Sequence, residues 1–255
     1  MTIEAEGLVQ EYGDLRALDG VSFRVERGEV FGYLGPNGAG KSTTVKLLLG
    51  LLRPSAGRVL VAGVDLAVDP IGAREKIGFL PEVLSLYEAL TPEEHLQFVA
   101  RLRGLEEDVI EKRSRALFEA FSLADRARQP IRTFSKGMRQ KVALSLAFIH
   151  RPEVLILDEP LAGLDATAAL ILKDLIRGFA TRGTSVLYCS HVLDVVERVC
   201  DRAMILNRGK AVAEGTIAEL RERTANTSLD EVFRSVATET DPAVLASDLL
   251  EALDA

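Results

Sequence analysis

Short apolar runs alternate along the chain with longer stretches whose apolar residues recur at helical spacing, and their order sets the first expectations. EVFGYL (29–34) reads as a buried strand that enters a glycine-rich turn and then the helical stretch TTVKLLLGLL. Further strand signals are RVLVAG (58–63), KIGFL (76–80), EVLILD (153–158) and TSVLYC (184–189). Several are almost wholly apolar, as strands covered by helices on both faces tend to be. Helical patterns fall between them, including 166–181 and 192–199, so the chain predicts an α/β core with a mostly parallel sheet.

That rhythm breaks between Pro92 and Ile149, where no strand signal occurs. PEEHLQFVARLRG, EEDVIEKRSRALFEAFSL and SKGMRQKVALSLAFIH are each spaced for a helix, which predicts a helical subdomain inserted into the core. The expected division is a core of residues 1–86 and 150–215, a helical subdomain of 87–149 and a helical tail of 216–255. Beyond Arg234 that tail carries Glu239, Asp241, Asp248, Glu251 and Asp254 with no Lys or Arg. Neither an internal repeat nor a long linker is present, which argues against two domains in tandem.

Charge narrows the partners. Among 255 residues, 31 Lys and Arg face 38 Asp and Glu, a net charge of −7, so no nucleic-acid partner is expected from a broadly basic surface. The longest apolar stretch, 142–149, is interrupted by Ser145 and falls far short of the ~20 residues that cross a bilayer. No direct membrane insertion is expected. The first ten residues, MTIEAEGLVQ, lack the basic and apolar regions of a secretory signal, so the expected location is cytoplasmic. Cys189 and Cys200 read as reduced, small apolar residues.

Chemistry enters at residues 35–42. Gly35, Pro36, Asn37, Gly38, Ala39, Gly40, Lys41 and Ser42 satisfy the P-loop pattern, with a strand before and a helix after as the pattern requires. Its glycines let the backbone turn N–H groups toward phosphate oxygens at a helix N-terminus. Lys41 then supplies charge for the β- and γ-phosphates, Ser42 a Mg²⁺ ligand, and Thr43 a contact to the α-phosphate. In VLILDEP, Asp158 surfaces at the end of an apolar strand as a second Mg²⁺ ligand, and Glu159 follows as the base for an attacking water. The expected ligands are ATP and Mg²⁺.

With GPNGAGKS, LILDEP and the helical insertion between them, the chain resembles the ATP-binding subunit of an ABC (ATP-binding cassette) transporter, of the ABC-2 exporter type, from Ile3 to about Gly215. The resemblance adds an antiparallel β part at the N-terminal end of the fold. FSKGMRQK (134–141) sits where the family has its LSGGQ signature: Ser135 and Gly137 match, while Phe134, Lys136 and Met138 replace Leu, Gly and Gln. By resemblance, Ser135 and Gly137 contact the γ-phosphate of ATP held by a second subunit, most simply another copy of this chain. Tyr12 stacks on adenine, Asp165 crosses the dimer interface, and His191 contacts the γ-phosphate as a neutral ring donating one N–H. Glu82 occupies the place of the family's Q-loop glutamine; a carboxylate can bind Mg²⁺ but cannot donate an amide N–H, so hydrolysis is expected to be tuned or partner-dependent.

The function implied is an ATP-hydrolysing subunit that powers a separate membrane permease for export, held at the inner face of the membrane through that permease. Residues 80–90 are the expected permease contact. A soluble ABC ATPase acting on a macromolecule in translation, repair or assembly remains the alternative; tandem cassettes, a long coiled-coil insertion or a basic docking surface would mark it. A regulator that binds nucleotide without hydrolysing it is kept open by Glu82. His95 and His150 belong to no motif and are assigned to surface or packing.

Overall fold

The computed structural model describes residues 1–191, 193–222 and 252–253. The chain opens with β1 (Ile3–Tyr12) and β2 (Leu15–Val25), an antiparallel hairpin in which Tyr12 pairs with Leu15 beside the turn. β3 (Val30–Leu34) leads into the glycine-rich turn and α1 (Lys41–Leu48). Then come β4 (Ala56–Val61), β5 (Val64–Asp65), α2 (Pro70–Glu75) and β6 (Ile77–Leu80). Next are three helices, α3 (Pro92–Leu102), α4 (Glu107–Ala120) and α5 (Lys136–Phe148), with only short 3₁₀ turns between α4 and α5. The remainder alternates β7 (Val154–Asp158), α6 (Ala166–Thr181), β8 (Ser185–Ser190), α7 (Leu193–Val199), β9 (Arg202–Asn207), β10 (Lys210–Thr216) and α8 (Ile217–Glu222).

Two sheets result. The larger has the order β10-β9-β3-β8-β7-β6, parallel throughout except for the β9–β10 hairpin; the smaller is antiparallel, in the order β2-β1-β4-β5. Strand alternation divides the apolar residues between two cores. Phe31, Tyr33, Ile156, Leu187 and Cys189 face the antiparallel sheet, where they meet Ile3, Leu8, Phe23 and Val61. Val30, Leu34, Leu155, Leu157, Val186 and Tyr188 face the helices, joining Leu144, Phe148, Leu172 and Ile176. β3, β7 and β8 are buried at every residue, which is why their sequences read as unbroken apolar runs.

The expected strands at 29–34, 76–80, 153–158 and 184–189 all lie in the parallel sheet. RVLVAG belongs instead to the antiparallel sheet, where β4 pairs with β1. The helix expected from Thr43 starts at Lys41 and stops at Leu48, since Gly50 (φ +62) turns the chain. β9 and β10 carried no separate strand signal; β9 is an ordinary buried strand, but β10 alternates small, polar and half-buried residues at a sheet edge. Cys189 and Cys200 are free and buried, and burial pushes both thiols up. Beyond α8, the expected helical tail lies almost wholly outside the described residues. Among the described residues no helix is long and apolar enough to cross a membrane.

Candidate nucleotide site

The C-terminal ends of β3, β7 and β8 deliver the predicted residues to one edge of the parallel sheet, the usual ligand edge of an open α/β fold. After β3, Gly35 sits so close to the backbone that an added Cβ would lie 2.5 Å from the Leu206 carbonyl oxygen. Gly40 (φ +112) caps α1, and a Cβ there would meet the Ala17 carbonyl oxygen at 2.7 Å. Space therefore enforces glycine at both ends of the loop, and at Gly40 the dihedral does so as well. The Lys41 ammonium folds over this loop and donates to the carbonyls of Gly35 (2.5 Å) and Pro36 (3.2 Å). Ser42 is exposed on the first turn of α1, and Thr43 is partly covered beside it.

One contact under the loop carried no recognised motif. The hydroxyls of Tyr33 and Thr44, both buried, lie 2.9 Å apart, and Thr44 donates on to the Gly40 carbonyl at 3.1 Å. This pins the strand before the loop to the helix after it, and burial raises the Tyr33 phenol well above its ordinary value. A tyrosine hydroxyl in an otherwise apolar strand, with a threonine one turn into the helix, is the signal that could have found it.

Asp158 ends β7 almost fully buried. Its carboxyl is pushed up to about 6, chiefly by burial and then by repulsion from Glu82 and Glu159, with Lys41 opposing. Glu159 follows in the left-handed region (φ +47), a strained conformation for a non-glycine residue, and its N–H is held by the Cys189 carbonyl at 3.0 Å. That turn aims its carboxylate at the end of β8, where it accepts from the Ser190 hydroxyl (3.1 Å), the His191 N–H (3.0 Å) and His191 Nδ1 (2.6 Å). The His191 ring is otherwise exposed. Because Nδ1 faces a carboxylate it carries the ring proton, so the neutral ring offers only an acceptor at Nε2.

The remaining residues gather elsewhere. Ser135 caps α5, accepting from the Met138 N–H at 3.3 Å, and Gly137 packs so tightly that an added Cβ would approach the Gly163 carbonyl oxygen to 2.4 Å. Asp165 caps α6 by accepting from the Ala168 N–H (2.8 Å) and pairs with Lys141 of α5 (2.7 Å); those two partners hold its carboxyl below the usual range. Gln140, buried, donates to the Pro160 carbonyl at 3.1 Å. Lys141 and Gln140, which the sequence pattern did not single out, thus bind the signature helix to residues 160–165. Phe134, at the family's Leu position, fills the helical core. Arg139 is engaged by Glu88 (2.8 Å) and the Phe134 carbonyl (3.2 Å).

Tyr12 stands half exposed at the tip of the β1–β2 hairpin. Glu82, after β6, is exposed yet close enough to repel Asp158. His95 is buried: Nδ1 donates to the Thr91 carbonyl (3.1 Å), Nε2 accepts the Tyr87 N–H (3.0 Å), and burial holds its pKa below the ordinary value. It therefore braces the segment after Glu82. His150 is partly buried against the Ile77 carbonyl (3.1 Å), with its pKa pushed down to about 4 by burial.

A glycine-rich loop between a buried strand and a helix, with acidic residues closing a second strand of the same parallel sheet, defines a P-loop nucleoside triphosphatase. A family profile described as ABC transporter matches residues 18–162. The chain is 37% identical over 221 residues to the linearmycin resistance ATP-binding protein LnrL of Bacillus subtilis, covering 87% of this chain and 71% of that one. It is 40% identical over 232 residues to the daunorubicin resistance ATP-binding protein DrrA3 of Streptomyces coeruleorubidus, covering 91% and 73%. A solved ATP-binding subunit of an ABC transporter superposes with a TM-score of 0.89 at 37% identity, covering 92% of this chain and 99% of that one. The fold is shared with a dimeric bacterial ABC transporter cassette (TM-score 0.77, 23% identity, 84% and 98% covered). The chain belongs to the ABC transporter family and is an ATP-binding ABC-type ATPase.

Proposed function

We propose that this chain is the motor of an exporter: two copies close on two ATP molecules and drive a separate membrane permease. The observation that carries the reading is the division of the predicted residues into two groups. Lys41, Ser42, Asp158, Glu159 and His191 share the ligand edge of the parallel sheet, whereas Ser135 and Gly137 are tied to residues 160–165 through α5. Such a division suits a nucleotide held by the first group of one copy and the second group of another. The drug-resistance relatives favour export.

ATP phosphates would lie on the backbone N–H groups of 35–42 with Lys41 over the β- and γ-groups, and Tyr12 would cover the adenine. The Asp158 carboxylate, repelled by both Glu82 and Glu159, suits a divalent cation, with Asp158, Ser42 and Glu82 as its holders. Bound Mg²⁺ would neutralise phosphate charge. Glu159 orients a water and takes its proton as the water oxygen bonds to the γ-phosphorus and the bond to the ADP oxygen breaks. Since its Nδ1 proton is committed to Glu159, His191 reaches a γ-phosphate as a donor through Nε2 only as the imidazolium. Ser135 and Gly137 of a second copy would meet the same phosphate, with the exposed Lys136 adding charge at that edge.

Membrane association would follow from the permease, at the inner face of the membrane. The deciding experiment is affinity purification of the native chain from membranes. Co-isolation of an integral membrane protein that changes the ATPase rate supports the motor; a wholly soluble chain, or one that sediments with ribosomes or DNA, refutes it.

A further inference from the structure

On the outer face of α6, away from the residues assigned to ATP, Ile171, Leu175 and Phe179 recur at i, i+4 and i+8 and are only partly covered. They floor an open groove of about 550 Å³ that Gly178 deepens by lacking a side chain and that Arg151 and Arg182 flank. The groove continues, through Arg151, Phe179 and Arg182, into a cavity of about 380 Å³ that Arg27 also lines. Among the described residues Arg27 and Arg151 make no ion pair, and Arg182 donates to the Gly178 carbonyl at 2.7 Å. Of the two acids present, Glu153 is drawn to Lys76 at 3.4 Å and Asp174 stands exposed. In a chain of net charge −7, this is a locally cationic strip bordering an apolar stripe.

The same chain contains the complementary pattern. Between Pro242 and Asp254, Leu245, Leu249 and Leu253 recur at i, i+4 and i+8, while Asp248, Glu251 and Asp254 supply charge without any Lys or Arg. Leu253, the last leucine of that stripe, is 73% exposed and helical in this structure. From Glu222 to Pro242, twenty residues span up to about 66 Å, more than the width of a domain of this size.

We propose that the acidic segment 242–254 docks in the α6 groove of its own chain, laying its leucine stripe on Ile171, Leu175 and Phe179 and its carboxylates against Arg151, Arg182 and Arg27. Helices whose apolar residues lie four apart pack ridge into groove in this way, and the flanking charges select an acidic partner over a basic one. The docked segment covers the back of the helix that Asp165 caps, without touching the nucleotide residues.

The test is disulfide capture in the full-length chain carrying Asp174→Cys and Ser247→Cys; the native cysteines are buried and do not compete. Mild oxidation should form an intrachain disulfide, seen as a mobility shift and by peptide mapping, well above the yield of a Val68→Cys/Ser247→Cys control. Arg151→Glu with Arg182→Glu should cut that yield at least about fivefold, and adding Asp248→Arg with Glu251→Arg should restore it. Both arginines are exposed, so a melting curve checks that the variants fold. A yield equal to the control, indifference to charge reversal, or cross-links only between two copies would each overturn the proposal.

Discussion

Glu159 Oε1 lies 2.6 Å from Nδ1 of His191 and accepts the backbone N–H of the same residue at 3.0 Å. The end of β7 is thereby fastened to the end of β8 through the carboxylate we propose as the base. Replacing Glu159 with Gln keeps an acceptor for the His191 N–H but removes the base. Hydrolysis should fall at least about 100-fold while ATP still binds, and an ATP-dependent dimer should accumulate. Phosphate release and size exclusion with Mg-ATP measure both; turnover within a few-fold of the unmodified chain would remove Glu159 from its role.

Lys41 currently spends its charge on the Gly35 and Pro36 carbonyls, so nucleotide phosphates must exchange for those contacts. Lys41→Ala should lower ATP affinity and turnover together, the latter by about 100-fold or more. Near-normal hydrolysis in this variant would contradict the cradle assignment.

Asp158 should cost the nucleotide-free chain stability at neutral pH. Its carboxyl is raised to about 6 in the folded chain, so folding takes up a proton. The penalty is absent below the ordinary carboxylate range, grows as pH rises toward 6 and is complete above it. Asp158→Asn should therefore raise stability on the order of 1–3 kcal/mol at about pH 8 and little at about pH 4, while abolishing Mg²⁺-dependent turnover. Glu82→Gln, by removing one repelling charge, should lower the Asp158 pKa and restore the amide other family members use. Denaturant titrations across pH and carboxyl NMR check the two.

His95 should matter to the segment after Glu82 rather than to ATP itself. Its Nε2 holds the Tyr87 N–H, and its lowered pKa means that this acceptor persists until pH falls below the ordinary imidazole value. His95→Ala should destabilise the chain by about 1–3 kcal/mol and speed amide exchange at Tyr87, leaving ATP affinity unchanged. Exchange at Tyr87 equal to that of the unmodified chain would refute the bracing role.

The strands at the centre of the parallel sheet, the inserted helices and the glycine-rich loop were legible in the sequence because each depends on local chemistry. β3, β7 and β8 are buried on both faces and so are apolar at every position; Gly35 and Gly40 stand where no side chain fits; Asp165 and Ser135 are residues that cap helices. Pairing across the chain was not legible in this way. RVLVAG looks like any apolar strand, and only its contact with β1 places it in the antiparallel sheet. β10 has too mixed a pattern to be called from periodicity, since an edge strand need not bury either face fully. No motif announces that Lys141 pairs with Asp165, 24 residues away, or that His95 reaches back to Tyr87; these contacts arise from side chains meeting across folded elements. The left-handed turn at Glu159 belongs to the same class. The sequence placed a carboxylate after Asp158, but it took the neighbouring strand, with the Cys189 carbonyl and His191, to turn that carboxylate toward the site.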